Sequence, residues 1–316
     1  MQRQMETGNR LPGRRLGRTV ATLSLLASVA CSSAQQAPAS VTAAVNPDDV
    51  ALATWNMCGV EQWGCEDTGG AKDKFQQLRD LVGDLGVRVL LLQEVCSEDL
   101  VASAVRLGPE WHSAFEPYEE VDAEGRRTFV DCTGEGRGRA GLGLLAASPL
   151  PDAEAVPTPQ PTVGLHRGIL CARVPAQGMR VCNAHIALRE SDTAHPDWEF
   201  RDDQLRSLMT AAAAGADDRT VLGGDFNSPP PGAKNATAWV WPRELYATYR
   251  ECDQKGDASR KGRPTYEDGT KIDYLFTLLP RTACEVVDTE ASDHRPLVMR
   301  VSRPDSTTAP ATGLPG

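Results

Sequence analysis

Ser292-Asp293-His294-Arg295-Pro296-Leu297 sets a carboxylate beside an imidazole just before the apolar run Val298, Met299, Arg300 and Val301. Such a pair can move a proton or help hold a cation, but alone it is as readily a solvated turn. Five more apolar runs finish in the same manner. Lys271-Ile272-Asp273-Tyr274-Leu275-Phe276 carries one carboxylate, and Val221-Leu222-Gly223-Gly224-Asp225-Phe226-Asn227 ends in Asp and Asn. Asn183-Ala184-His185, Leu91-Leu92-Gln93-Glu94-Val95 and Ala53-Thr54-Trp55-Asn56-Met57 complete the set. Six strand ends of this kind predict one shared pocket.

The pocket would gather Asn56, Glu94, His185, Asp225, Asn227, Asp273, Asp293 and His294. Four carboxylates brought together repel one another unless a cation neutralises them. Hard oxygen ligands suit Mg²⁺, with Mn²⁺ or Ca²⁺ as alternatives, better than zinc. Two histidines supply a base and a second group for proton transfer or for stabilising an oxyanion. Phosphate-ester hydrolysis uses all of these parts. Asp273 carries extra weight, because an unpaired carboxylate within a strand is costly.

Eight apolar runs must position these groups: Leu52 to Asn56, Val87 to Gln93, Gly141 to Ala146, Gly168 to Val174, Arg180 to Ala184, Thr220 to Gly224, Ile272 to Thr277 and Pro296 to Val301. Their apolarity is continuous rather than alternating, so they are expected to be covered on both faces. Helical spacing shows in Phe75, Leu78, Leu81, Val82 and Leu85, and again in Leu205, Leu208, Met209 and Ala212. Strands outnumber helices, and the helices fall between strand pairs. The expected architecture is α/β (α+β): a sandwich of two packed sheets with helices outside.

The 316 residues are ample for one core. Residues 1–34 read as a secretory or lipoprotein signal, with five arginines before the apolar run Val20 to Ala30 and small residues after it. That run is too short to span a bilayer. Arg14-Arg15 lacks the rest of a twin-arginine pattern. Ser28-Val29-Ala30-Cys31 resembles a lipoprotein box, which would make Cys31 a lipid anchor, and simple cleavage nearby is the competing reading. Residues 35–47 read as a flexible linker, 48–303 as the folded domain and 304–316 as a disordered tail. The expected compartment is extracellular or the cell surface, and the expected state is a monomer.

Setting Cys31 aside leaves eight cysteines, enough for four disulfides in an oxidising compartment. Cys171 and Cys182 flank Pro175-Ala176-Gln177-Gly178 symmetrically, so a hairpin there would place them opposite each other. No close Cys-x-x-Cys pair supports zinc. Without the first 30 residues the chain keeps 28 basic and 42 acidic side chains, a balance of −14. Such a surface does not draw polyanions by its overall field, so nucleic-acid contact has to come from local arginines or a cation.

Thr54-Trp55-Asn56, Leu92-Gln93-Glu94, Arg167-Gly168, Asn183-Ala184-His185, Gly224-Asp225-Phe226-Asn227, Ile272-Asp273-Tyr274 and Ser292-Asp293-His294-Arg295-Pro296-Leu297 resemble, in order and spacing, the endonuclease/exonuclease/phosphatase superfamily. The resemblance runs from about 50 to 302. It implies a deoxyribonuclease I-like four-layer sandwich of mainly antiparallel sheets flanked by helices. It also implies a metal site at Glu94, Asn56 and Asp293, and a base, His294, polarised by Asp273. Asp225 and Asn227 would orient water or phosphate. His185 would stabilise the phosphate or assist the leaving group, and Arg167 with Asn56 would contact substrate. Ala184 departs from the usual Thr, which leaves the orientation of His185 open.

The function so implied is a metal-dependent phosphodiesterase, with nucleic acid as substrate and an endonuclease as the leading type. The alternative is a phosphatase or phospholipase C-type hydrolase of inositol phosphates, sphingomyelin or another small phosphoester. The loops 111–140 and 229–265 would separate the two, and no long apolar hairpin suited to a membrane is visible. A catalytically silent binding protein would be expected to have lost Glu94, Asp225 or His294. His112, His166 and His195 read as surface histidines, with His166 beside Arg167 a candidate for substrate. The Gly134–Arg139 loop reads either as a reach over a phosphate backbone or as a solvated connection. Trp63, Trp111, Trp239 and Trp241 are of a type that stacks bases, though core packing is the commoner fate.

Overall fold

Strands that are apolar throughout need cover on both faces, and the chain supplies it in four layers. The computed structural model describes residues 49–65, 67–214, 219–232, 238–256 and 259–302. The expected signal at 1–34 with Cys31, the linker at 35–47 and the tail at 304–316 lie outside the described residues. The strands are β1 (Asp49–Asn56), β2 (Val87–Cys96), β3 (His112–Pro117), β4 (Glu119–Val121), β5 (Arg127–Phe129), β6 (Ala140–Ala146), β7 (Glu154–Ala155), β8 (Gly164–His166), β9 (Ile169–Val174), β10 (Met179–His185), β11 (Thr220–Asp225), β12 (Arg250–Glu251), β13 (Asp273–Thr277), β14 (Arg281–Val286) and β15 (Leu297–Ser302). The helices are α1 (Ala71–Gly83), α2 (Ser97–Leu107), α3 (Arg201–Ala213) and α4 (Arg243–Thr248).

One sheet has the order β14-β15-β1-β2-β6-β3, and the second has β12-β13-β11-β10-β9-β7. Each holds a single parallel pair, β1 with β2 and β10 with β11, among antiparallel neighbours. The period of two sorts the side chains between layers. Val50, Leu52, Val89 and Leu91 face the second sheet's Leu170, Ala172, Val181 and Val221. Ala51, Ala53, Leu90 and Leu92 turn the other way, onto Leu78 and Leu81 of α1 and Leu100 of α2. Leu205 and Leu208 of α3 and Leu245 of α4 cover the outer face of the second sheet against Ile169, Leu222 and Phe276.

All eight expected strands form, as do the helices expected near 75–85 and 205–212. Several regions differ from expectation: the expected loop 229–265 holds α4 and β12, and the short strand β7 and the edge strand β14 were not foreseen. Residues 111–140 contain β3, β4 and β5 rather than a loop, and β4 sits between β5 and β8 in a small third sheet. Helix α2 was not foreseen, because Val101 and Val105 lie exposed at 51% and 76% and blur the stripe made by Leu100 and Ala104.

The eight cysteines form four disulfides: Cys58–Cys65, Cys96–Cys132, Cys171–Cys182 and Cys252–Cys284. Cys171 and Cys182 are direct partners in the β9–β10 register, as the symmetric spacing predicted. Among the described residues, no helix is long and apolar enough to cross a membrane.

Candidate active site

The C-terminal ends of both parallel pairs meet at one edge of the sandwich. A buried polar pin lies beneath them. Gln93 Nε2 donates to Asn183 Oδ1 at 2.6 Å and to Thr54 Oγ1 at 3.2 Å. Asn183 Nδ2 donates to the carbonyls of Leu92 and Gly143 at 2.8 and 2.9 Å. Thr54, Gln93 and Asn183 are fully buried, so the two sheets are locked in register one residue before Glu94 and two before His185.

Above the pin a pocket of about 570 Å³ is lined by Asn56, Glu94, Arg167, His185, Asp225, Asn227, Asp293 and His294. Asp273 lies just behind His294. All nine residues expected from the sequence are thus brought together. Glu94 reaches the pocket because the β2–β6 register slips between Leu92 and Val95 and the residue takes φ +50°. Cys58 and Asn227, also on the pocket wall, take φ +47° and +46°. Left-handed backbone at three non-glycine pocket residues is strain that the surrounding structure must hold in place.

Asn56 Nδ2 donates to Glu94 Oε1 and to Asp225 Oδ2, both at 3.1 Å, and its Oδ1 accepts the Cys58 N–H at 2.9 Å. The residue therefore ties two carboxylates together. Asp225 Oδ1 accepts the Asn227 N–H at 2.9 Å, and Asn227 Nδ2 donates to the Ile186 carbonyl at 2.9 Å. Burial would raise the Asp225 pKa, but the neighbouring His185 and His294 rings and the Asn227 amide outweigh it, so this carboxyl stays ionised well below the usual range.

His294 Nδ1 lies 2.9 Å from Asp273 Oδ2, and Nε2 lies 3.9 Å from Asp225 Oδ2. Burial lowers the ring's pKa, yet the charge and hydrogen bond of Asp273, with Asp225 and Asp293 behind, push it up to about 10. His185 is opposite in character. Burial and the Arg167 charge lower its pKa against the pull of Asp225. Arg167 Nε lies 3.1 Å from His185 Nε2, closer than Asp225 Oδ2 at 3.4 Å. Arginine only donates, so Nε2 is the acceptor and the ring proton sits on Nδ1, 2.7 Å from the Tyr118 hydroxyl. That hydroxyl also accepts the Glu94 N–H at 3.2 Å. Tyr118, not the residue at Ala184, fixes this ring.

The segment before β15 is pinned from three sides. Ser292 Oγ donates to the Asn56 carbonyl at 2.8 Å, Trp55 Nε1 to the His294 carbonyl at 3.1 Å, and Lys74 Nζ to the Ala291 carbonyl at 2.9 Å. Tyr266 lies against the His294 ring with centroids 4.8 Å apart. Tyr118, Tyr266 and Lys74 belong to the site's framework, and no motif announced them, because each reaches it only through the tertiary fold.

The donor set fits a hard divalent cation in its carboxylates, Glu94 and Asp293. Asn56, expected as a third ligand, instead turns Nδ2 to Glu94 and commits Oδ1 to the Cys58 N–H, so it positions Glu94. Cys58 and Cys65 lie close to Glu94, with Cys65 Sγ 4.0 Å from Oε2, but as a disulfide they offer no thiolate. Asp225, Asp273 and His294 also cluster, and there His294 Nδ1 is already committed to Asp273.

The remaining candidates fall elsewhere. His112 is exposed, His166 Nε2 meets the Pro161 carbonyl at 2.7 Å, and His195 stacks on Trp198. Arg137, in the basic loop, turns inward to Asp99 and Glu61 at 2.9 and 3.0 Å. Arg139 lies over the Phe129 ring. Neither arginine reaches over the pocket. Trp111 and Trp241 are buried, Trp63 lines the pocket, and Trp239 is 61% exposed.

Several solved structures share this architecture. Human Nocturnin's catalytic domain with bound sulfate is 17% identical, with 80% of this chain and 94% of that one covered and a TM-score of 0.58. Humanized D. rerio TDP2 is 15% identical over 80% and 98%, TM-score 0.54, and an AP endonuclease from Archaeoglobus fulgidus is 16% identical over 79% and 98%, TM-score 0.52. At such identities the likeness establishes the fold. No curated protein matches the chain. The sequence match is with the Endonuclease/Exonuclease/phosphatase family over residues 53–294, spanning every pocket residue from Asn56 to His294, and the chain belongs to that family.

Proposed function

We propose that the chain is an exported, divalent-metal-dependent phosphodiesterase that cleaves nucleic acid internally. The observation that carries this reading is the pocket holding an Asp273–His294 pair, a neutral His185 beside Arg167, and the carboxylates Glu94 and Asp293 with Asn56 tying Glu94 to Asp225. The similar fold of an AP endonuclease agrees with it, and four disulfides agree with export.

Glu94 and Asp293 would hold the cation, with Asn56 Nδ2 positioning Glu94. When bound it screens the phosphate's charge and offsets the pull of the carboxylates on the His294 proton. Asp273 holds Nδ1 of His294, so Nε2 is the edge that takes the proton from water. Asp225 and Asn227, fixed by Asn56 and the Ile186 carbonyl, orient that water. Arg167 donates to a phosphate oxygen, and His185, whose Nε2 accepts from Arg167 Nε, holds the guanidinium in place for the developing charge.

Purified protein incubated with supercoiled plasmid and, separately, with bis-p-nitrophenyl phosphate, each with Mg²⁺ and with EDTA, tests the proposal. EDTA-sensitive nicking is the expected result. Cleavage of the small ester alone would move the substrate to phospholipids or inositol phosphates, and cleavage insensitive to EDTA would overturn the metal assignment.

A further inference from the structure

The catalytic pocket does not end the concave surface. Between Leu188 and Ser191 on its wall, Arg189 and Glu190 turn to line a second groove of about 490 Å³ that also holds Trp198 and Trp239. Trp239 is also a wall of a third groove, of about 770 Å³, lined by Arg206, Trp241, Arg243, Glu244 and Arg260.

Two features of this path are unusual for the molecule. Trp198 and Trp239 are 47% and 61% exposed, whereas Trp55, Trp111 and Trp241 are buried. An aromatic face open to solvent is what an unpaired base can stack on. Trp198 is also held in place: His195 stacks on it with centroids 3.9 Å apart and planes 12° from parallel. The second feature is charge. The third groove carries three arginines against one glutamate, on a chain whose overall balance is negative. Arg260 is itself spread over the Tyr246 ring at 4.5 Å.

We infer that this path from Leu188 through Trp198 and Trp239 to Arg243 binds single-stranded nucleic acid flanking the cleaved bond, with bases stacking on the two tryptophans and backbone phosphates meeting the arginines. The inference rests on the nucleic-acid reading above. Exposed rings leading to a groove rich in arginine are the chemistry that holds unpaired bases without reading their sequence; the second groove itself is mixed, with Glu190, Asp197 and Glu199 beside Arg189 and Arg201, so the phosphates are assigned to the third. Bases inside a duplex are stacked on one another and offer no free face. A lipid surface is disfavoured, because these rings line concavities rather than protrude.

The test uses the full chain in EDTA, where binding is measured without cleavage. Anisotropy of a fluorescein-labelled oligodeoxythymidylate of 12 nucleotides is followed for the parent, Trp198→Ala, Trp239→Ala and the double variant. Each single change is expected to weaken binding roughly tenfold. Hydrolysis of bis-p-nitrophenyl phosphate with Mg²⁺ should stay unchanged, which also reports an intact fold. In cleavage assays the KM for the oligonucleotide should rise while kcat holds. Unchanged affinity in the double variant, or no binding by the parent, overturns the inference. So does loss of binding to phosphatidylserine vesicles with oligonucleotide affinity retained. Tryptophan-dependent binding by a parent that cleaves no nucleic acid supports the groove and refutes the proposed activity, so the two failures are distinguishable.

Discussion

Both histidines of the pocket lie beside Asp225, yet one is held protonated and the other neutral. The difference lies in the second neighbour: a carboxylate, Asp273, behind His294 and a guanidinium, Arg167, beside His185. The folded pKa of His294 is raised above the ordinary 6.5 to about 10. Its contribution to stability is therefore fully present below about pH 6.5 and is lost as pH climbs to about 10. In EDTA, Tm should fall between pH 6.5 and 9.5 more steeply for the parent than for His294→Gln; equal slopes would reject the pairing. Glu94→Ala and His294→Ala should each abolish turnover on both substrates while circular dichroism stays native. Tyr118→Phe removes the hydroxyl shared by His185 and the Glu94 amide, and kcat should drop by roughly tenfold to a hundredfold. Glu94, Asp225, Asp273 and His294 were legible in the sequence because each ends or begins an apolar run. Tyr118 was not, because it lies 67 residues before the ring it orients and between two short strands.

At the level of elements, the strands were legible and their trimming was not. Continuous apolarity identified β1, β2, β6, β9, β10, β11, β13 and β15, since each is buried on both faces. Strands β3, β4 and β5 escaped because none is a buried apolar run: β3 edges the first sheet and is mostly half-buried, and β4 and β5, in the small third sheet, are partly and fully exposed. The Gln93–Asn183 pin shows what such burial demands. Asn183→Ala would leave Gln93 and two carbonyls unsatisfied in the core, and should cost about 2–4 kcal/mol in urea unfolding. Gly59 makes a second test. A Cβ there would lie 2.4 Å from the Glu94 carbonyl oxygen, which accepts the Gly59 N–H. Gly59→Ala should therefore cut kcat by displacing Glu94, with little change in KM for the small ester.

Across the whole molecule, acidity and cysteine content reflect one design. A chain of net charge −10 would have to concentrate its cations where the proposed polyanion docks, and the third groove holds three arginines against one glutamate. The cysteines, even in number once Cys31 is set aside, pair completely among themselves.

The pairing of β1 with β15 runs from Asp49 opposite Ser302 to Thr54 opposite Leu297, so the domain's first strand is completed by its last. Asp293 and His294 immediately precede that last strand. A ribosome that has delivered everything up to Glu290 has made most of the fold's layers but neither the partner for β1 nor the base. Arrested chains of that length should show no hydrolysis at all, and activity should switch on only when the final dozen residues of the domain emerge. On the proposed function, synthesis order would act as a safety catch, because the half-made chain lacks its base.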